Sequence, residues 1–273
     1  MRLREPWPAA RSRQRRREFA TLFGGVPRGG LGRTLEVGGG DGFFASLLLA
    51  QCGSLLSTDR YPREHASEST GVKRLTCDAT QLPFTDGAFD FVVSSNVLAH
   101  IRERSLACRE MTRCLGTGGL MIHITPSRTW KLLQLLFYYP HVLMGAIDLL
   151  LDFVFGRIRR PDRKLHERWS DTRLPSLRRI VTGLLPTIQG EYSGHLAEWR
   201  GFGVSAWRRQ FETAGLEVCR VAALPLYSGY GFGFERLRRI GERLGLSAHH
   251  AFILARRGER PATLRWFAEP GGT

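Results

Sequence analysis

A chain of 273 residues, 42% apolar and 24% charged, suits one globular domain with an elaboration and excludes a disordered or fibrous protein. The formal net charge of +15 comes from 40 Lys and Arg residues, all but three of them arginine. A field of that sign favours nucleic acid, an anionic membrane or acidic ligands and says nothing about fold. Five cysteines, an odd number without a C-x-x-C pair or zinc spacing, exclude a disulfide scaffold and predict reduced, buried thiols and a cytoplasmic protein.

Residues 1–32 are expected to form a basic N-terminal arm and helix. The Pro- and Arg-rich stretch to Arg17 lacks the apolar centre of a secretory signal and is taken as a solvated tail. Glu18 to Phe23 can form a short helix, and 26–32 is a turn-rich connector. A repeating strand–helix alternation then predicts a parallel, doubly wound α/β sheet. Strands are expected near 33–38, 54–59, 72–77, 89–94 and 119–124. Helices are expected near 41–51, 62–69 and 102–115, the last capped by Gly116.

The first strand runs into Gly38-Gly39-Gly40-Asp41-Gly42, with Glu36 two residues ahead of the first glycine. Glycines let a ligand approach the backbone closely, and a helix N-terminus behind them welcomes a polar or anionic group. The dinucleotide fingerprint G-x-G-x-x-G is not met, because Phe43 stands where its third glycine belongs. Asp59 ends the second strand, where an acid can accept both hydroxyls of a ribose, and Asp78-Ala79 follows the third.

Together these residues resemble motif I and its companions in the class I S-adenosylmethionine (SAM) methyltransferases. Leu82-Pro83-Phe84, the run from Phe89 to Leu98, His100-Ile101 and Arg109 to Gly119 are similar to the small-molecule branch often called type 11. The resemblance implies a Rossmann-like seven-stranded sheet with a helical insertion after strand 5, and SAM as cofactor. It also implies cofactor-binding roles for Glu36, Gly38, Gly40, Asp59, Arg60, Asp78, Ala79 and Ser94. It covers 33–125, the SAM-binding core, and resumes over 201–258, the C-terminal part of the sheet. The interval 259–273 reads as a tail.

The insertion, 126–200, is expected to be a helical lid over the acceptor. It opens with an apolar segment broken by Pro140, and 141–155 follows with polar residues only at His141, Gly145, Asp148 and Asp152. On a helix these form one stripe. A membrane span is not expected, since each central Asp costs roughly 2.5–3.5 kcal/mol in the bilayer. Arg157, Arg159, Arg160, Arg163 and Lys164 follow, and a second basic helix is expected at 235–244. Both suit anionic headgroups, and both suit ordinary solvated faces.

The end of strand 4, Ser94-Ser95-Asn96, lacks the N/D-P-P-Y/F signature that the resemblance ties to amino-nitrogen methylation. The acidic metal set of catechol-type enzymes is missing as well. A metal-independent transfer to oxygen or carbon of a small, lipid-linked or glycan acceptor is expected. Candidate bases are His195, His166 and His123, while His100 is read as structural. An RNA methyltransferase and a non-catalytic SAM-binding subunit remain as alternatives, although no RNA-binding module stands beside the core. The oligomeric state stays open.

Overall fold

A computed structural model describes residues 7–61, 72–154, 186–227, 230, 232 and 234–267, without the side chains of 7–10, 146 and 148–154. Seven strands form one sheet: β1 (Arg33–Val37), β2 (Ser54–Asp59), β3 (Lys73–Thr76), β4 (Phe89–Ser95), β5 (Leu115–Pro126), β6 (Leu216–Ala223) and β7 (His249–Arg256). Their order is β3-β2-β1-β4-β5-β7-β6. β1 to β5 are parallel, and β7 lies antiparallel between β5 and β6. The direction of the chain reverses beside β1, so the crevice beyond the carboxyl ends of β1 and β4 is the place where such sheets take ligands.

Both faces of the sheet are covered, which explains why its strands read as nearly continuous apolar runs. Adjacent residues of β4 show the alternation. Val92 packs with Ala107 and Met111 of α3 (Arg104–Cys114), whereas Val93 belongs to the opposite cluster with Phe44 and Leu48 of α2 (Phe43–Leu48). Where α3 ends, Leu115 is already extended and starts β5, so Gly116 lies inside a strand and is not a helix cap.

The N-terminal stretch corrects the expectation of a solvated tail. Residues from Trp7 to Phe23 form one 17-residue helix, α1, with Pro8 in its first turn, where a missing N–H costs no hydrogen bond. Arginines four apart share a face. Arg11 and Arg15 reach Asp41, Glu18 and Ser95. Arg13 and Arg17 pair with Glu235 and Glu242 at 3.8 and 3.2 Å. Four arginines of the basic arm are therefore paired with groups of the fold, three of them at its surface.

The tail is corrected in part. A short helix at Ala262–Trp266 presents Phe267, 3% exposed, to the core. Its ring stacks on Phe91 at 6.1 Å and meets Phe23 edge-on at 5.8 Å.

After β5, α4 (Arg128–Val154) runs as one 27-residue helix through Pro140, which does not break it as expected. Proline removes one i→i−4 bond, a cost that flanking helix formers can absorb. No described helix is long and apolar enough to cross a membrane. Further on come α5 (His195–Gly201), α6 (Val204–Thr213) and α7 (Glu235–Arg243), the basic helix expected between the last two strands. Lys131 of α4 and Glu198 of α5 pair at 2.5 Å with both side chains fully buried, fastening the second part of the insertion to the first. The expected helix at 62–69, His166 and the basic run from Arg157 to Lys164 lie outside the described residues.

Candidate functional site

A cavity of about 620 Å³ opens at the carboxyl ends of the parallel strands. Gly38 and Gly40 turn the chain there with φ of 78° and 55°. A Cβ at Gly38 would collide with the Val97 side chain, so glycine is required by space as well as by backbone angle. The helix behind the turn starts at Phe43, two residues later than expected, and tightens into a 3-10 turn over Leu49–Gln51. α2 has six residues, and the N–H of Phe43 donates to Asp41 Oδ1 at 3.2 Å. The approachable surface is the glycine backbone itself.

Seven of the eight expected cofactor-binding residues line this cavity: Glu36, Gly38, Gly40, Asp59, Arg60, Asp78 and Ala79. Asp59 Oδ2 accepts from the Gly40 amide and Oδ1 from the Tyr61 amide, each at 2.8 Å. A carboxylate has about four lone-pair sites, so two remain for a pair of hydroxyls. Asp78 Oδ1 accepts from the amide and hydroxyl of Thr80 at 2.9 and 2.8 Å, and Arg60 pairs with Oδ2 at 3.0 Å. The Thr80 bonds, helped by Arg60, hold the Asp78 carboxyl below its ordinary range. Glu36 is 2% exposed and takes a 2.5 Å hydrogen bond from Ser57. Burial pushes its pKa up to about 7, against the opposing pull of Ser57, Arg15 and Arg74.

Ser94 is the exception. Its side chain is fully buried against His123 Nδ1 at 2.7 Å, and Ser95 lines the cavity in its place, because successive residues of a strand face opposite ways. That same contact removes His123 from the candidate bases. His123 is fully buried, stacked on Phe211 at 5.1 Å, and desolvation drives its pKa down to about 3. His195 is also misplaced for the role: it sits on α5, 3.9 Å from Glu198, and does not line the cavity, whereas His100 does.

Residues that sequence reasoning did not single out complete the wall. From α1 come Gln14, Arg15 and Glu18, from α4 Trp130, and from the last part of the chain Tyr227 and His249. Asn96 lines the cavity with φ of 56°, rare for a side chain-bearing residue, and its Oδ1 is buried without a hydrogen-bond partner. A strained residue carrying an unmet acceptor in a cavity marks a place for a ligand donor. Asparagine is enriched at positive φ, a weak local signal that reading Ser94-Ser95-Asn96 for motifs does not use.

The sheet order, the glycine turn and the acids at successive strand ends define a class I SAM-dependent methyltransferase core, whose cofactor is SAM. Residues 35–123 match the methyltransferase domain family and form a domain of that kind. A ubiquinone/menaquinone biosynthesis C-methyltransferase of Nitrosospira multiformis is 33% identical over 135 residues, 44% of this chain and 53% of that protein. An uncharacterised methyltransferase of Mycobacterium sp. (strain JLS) is 38% identical over 95 residues, 33% of this chain and 38% of that one. The chain thus spans about half or less of these relatives. Among solved structures, a SAM-dependent methyltransferase of Thermotoga maritima, described as a possible histamine N-methyltransferase, superposes with a TM-score of 0.52 at 17% identity. That likeness covers 92% of this chain and 93% of the other and concerns the fold.

Proposed function

We propose that the protein is a methyltransferase that uses SAM to methylate oxygen or carbon of a small, lipid or glycan acceptor without a metal ion. One observation carries this reading. A single cavity collects Glu36, Asp59 and Asp78 from β1, β2 and the end of β3, and Pro126 and His249 from β5 and β7. Given the strand order, the acids lie toward one side of the crevice and His249 with Trp130 toward the other. When bound, SAM supplies an electrophilic methyl group on a sulfonium centre. The chain's own part is placement: Asp59 offers its two free lone-pair sites to hydroxyls, the glycine turn admits close approach, and Glu36 sets a carboxylate under that turn. Holding two reactants in line supplies much of the rate in such reactions.

Calorimetry tests the cofactor assignment. SAM should bind the purified chain, and preference for NAD would overturn it. Untargeted metabolomics and lipidomics of a deletion strain should reveal an acceptor lighter by one methylene. Turnover by the chain alone separates this reading from a non-catalytic SAM-binding subunit. The pairing of Arg11, Arg13, Arg15 and Arg17 within the fold leaves less of the positive charge for RNA.

A second observation favours peripheral contact with an anionic membrane. Leu132, Leu136, Tyr139 and Leu143 of α4 are exposed, as are Leu237, Ile240 and Leu244 on or next to α7, which also exposes Arg236, Arg239 and Arg243. Phe137 of α4 stacks on Phe234 at the start of α7 with centroids 5.7 Å apart, which brings the two elements together. Apolar groups ringed by arginine suit an anionic bilayer surface, each cation adding about 1 kcal/mol. Vesicle flotation should increase with anionic lipid and decrease with salt. Protein that stays at the bottom with every vesicle composition would refute it.

A further inference from the structure

The cavity wall opposite the acids carries a buried acid–imidazole pair that no expected role accounts for. His249 is 3% exposed and Glu18 fully buried, and Nδ1 of the imidazole lies 2.7 Å from Glu18 Oε1. Glu18 is further held by Gln14 Nε2 at 3.1 Å and Arg15 at 3.4 Å, and Arg15 also reaches Ser95 at the end of β4. Burial works against charge on Glu18, yet His249, Arg15 and Gln14 keep its carboxyl below the ordinary range. An ionised Glu18 accepts the proton of Nδ1, so the lone pair of the neutral ring is on Nε2. Nε2 faces the Tyr227 hydroxyl at 3.4 Å, a long contact that leaves it open to a better donor. Both His249 and Tyr227 line the cavity, and Trp130 lies nearly parallel to the imidazole, 28° off with centroids 6.4 Å apart.

We propose that His249, oriented by Glu18, is the general base of the transfer, and that the acceptor is a phenol or an enol. This rests on the methyltransferase reading above. The acceptor O–H bond breaks, its electron pair stays on oxygen, and the proton forms a new bond to Nε2. The imidazolium so formed is neutralised by the Glu18 carboxylate. Charge left on the oxygen is shared with the neighbouring ring or alkene carbon, so either atom can form the bond to the methyl group as the S–CH3 bond breaks and its electron pair stays on sulfur. Methylation at carbon then releases that carbon's hydrogen as a proton, and the oxygen recovers one from the imidazolium.

The acceptor class follows from acidity. A phenol, whose pKa is ordinarily about 10, is acidic enough to pass its proton to an imidazole held against it. An alkyl hydroxyl, about as weakly acidic as water near 15.7, gives up its proton to an imidazole only while the new bond forms, so a bound anion ahead of transfer is the mark of a phenol or an enol. Trp130 and Tyr227, both in the lining beside His249, give that end of the cavity aromatic surroundings suited to a ring. The charged and titratable groups around the pair are Glu18, Arg15 and Arg11 from α1, Tyr227, and His250 next in β7.

The probe is 4-nitrophenol, whose phenolate absorbs visible light, added to the whole chain saturated with S-adenosylhomocysteine. At pH 6 the bound probe should show a phenolate-to-phenol ratio at least tenfold above that free in solution. His249→Gln should abolish the excess and Glu18→Gln should reduce it, with S-adenosylhomocysteine affinity unchanged by calorimetry. Should His249→Gln not fold, the pH titration of the wild-type complex decides alone. A bound probe with its solution ratio, an excess that survives His249→Gln, or no binding of the probe overturns the base and acceptor assignment. Loss of S-adenosylhomocysteine binding by the wild type would instead overturn the methyltransferase reading.

Discussion

Glu36 offers the sharpest link between the site and stability. The buried carboxyl titrates at about 7 in the fold, against an ordinary 4.5, because burial penalises its charge more than Ser57, Arg15 and Arg74 favour it. The native state therefore holds a proton that the unfolded chain releases, and stability must fall as pH rises from about 4.5 through about 7. A difference of about 2.5 pH units corresponds to about 3 kcal/mol at full ionisation. Glu36→Gln keeps an acceptor for Ser57 and carries no charge at any pH. Urea unfolding of the two proteins without cofactor should show the variant gaining on the wild type by about 2.5 kcal/mol between pH 5 and pH 8. The same change should weaken SAM above about pH 7, where it removes the negative charge that the ionised carboxyl sets beneath the glycine turn. A stability gap that stays constant across this range would refute the reasoning.

Other tests reach the rest of the fold. Asp59→Ala should weaken SAM at least tenfold in calorimetry, because a hydrogen bond to a charged group is worth about 1.5–3 kcal/mol. Glu198→Gln leaves the buried Lys131 without a counter-charge and should cost about 3–5 kcal/mol in denaturant unfolding. Lys131→Met combined with Glu198→Leu should recover most of that. Phe267→Ala should destabilise by about 3–5 kcal/mol, since the ring sits against Phe91 and Phe23. A loss below 1 kcal/mol would show the end of the chain to be dispensable.

What could be read along the chain was whatever depends on neighbours in sequence. Strands β1, β2 and β4 announce themselves as short apolar runs, and the glycine turn with Asp59 and Asp78 is a local pattern tied to successive strand ends. Because a parallel sheet brings those ends to one edge, the residues that share the acidic side of the cavity were legible before any coordinates. Two of the departures are instructive. Ser94 was a residue off in a period-two element, and a strand displaces every side chain to the other face at each step. Pro140 punctuates a sequence strongly, yet a helix with good formers on both sides runs through it.

The other half of the cavity could not be read, because its parts are far apart in the chain. Glu18 and His249 are separated by 231 positions and meet only because α1 folds back over the sheet edge where β7 begins. Alone, Arg11 to Arg17 look like a solvated basic run; the acids that pair with them, Asp41 in the glycine turn and Glu235 and Glu242 in α7, lie far along the chain. Phe267 shows no periodicity and becomes core only where Phe23 and Phe91 leave a gap for it. Sequence by itself determined the sheet, the turn and the acids of the cofactor side, since backbone conformation and strand ends are local matters. Tertiary structure alone decided which imidazoles line the cavity, His100 and His249, and which of them a buried carboxylate holds, because burial and charge pairing exist only once distant segments share one space.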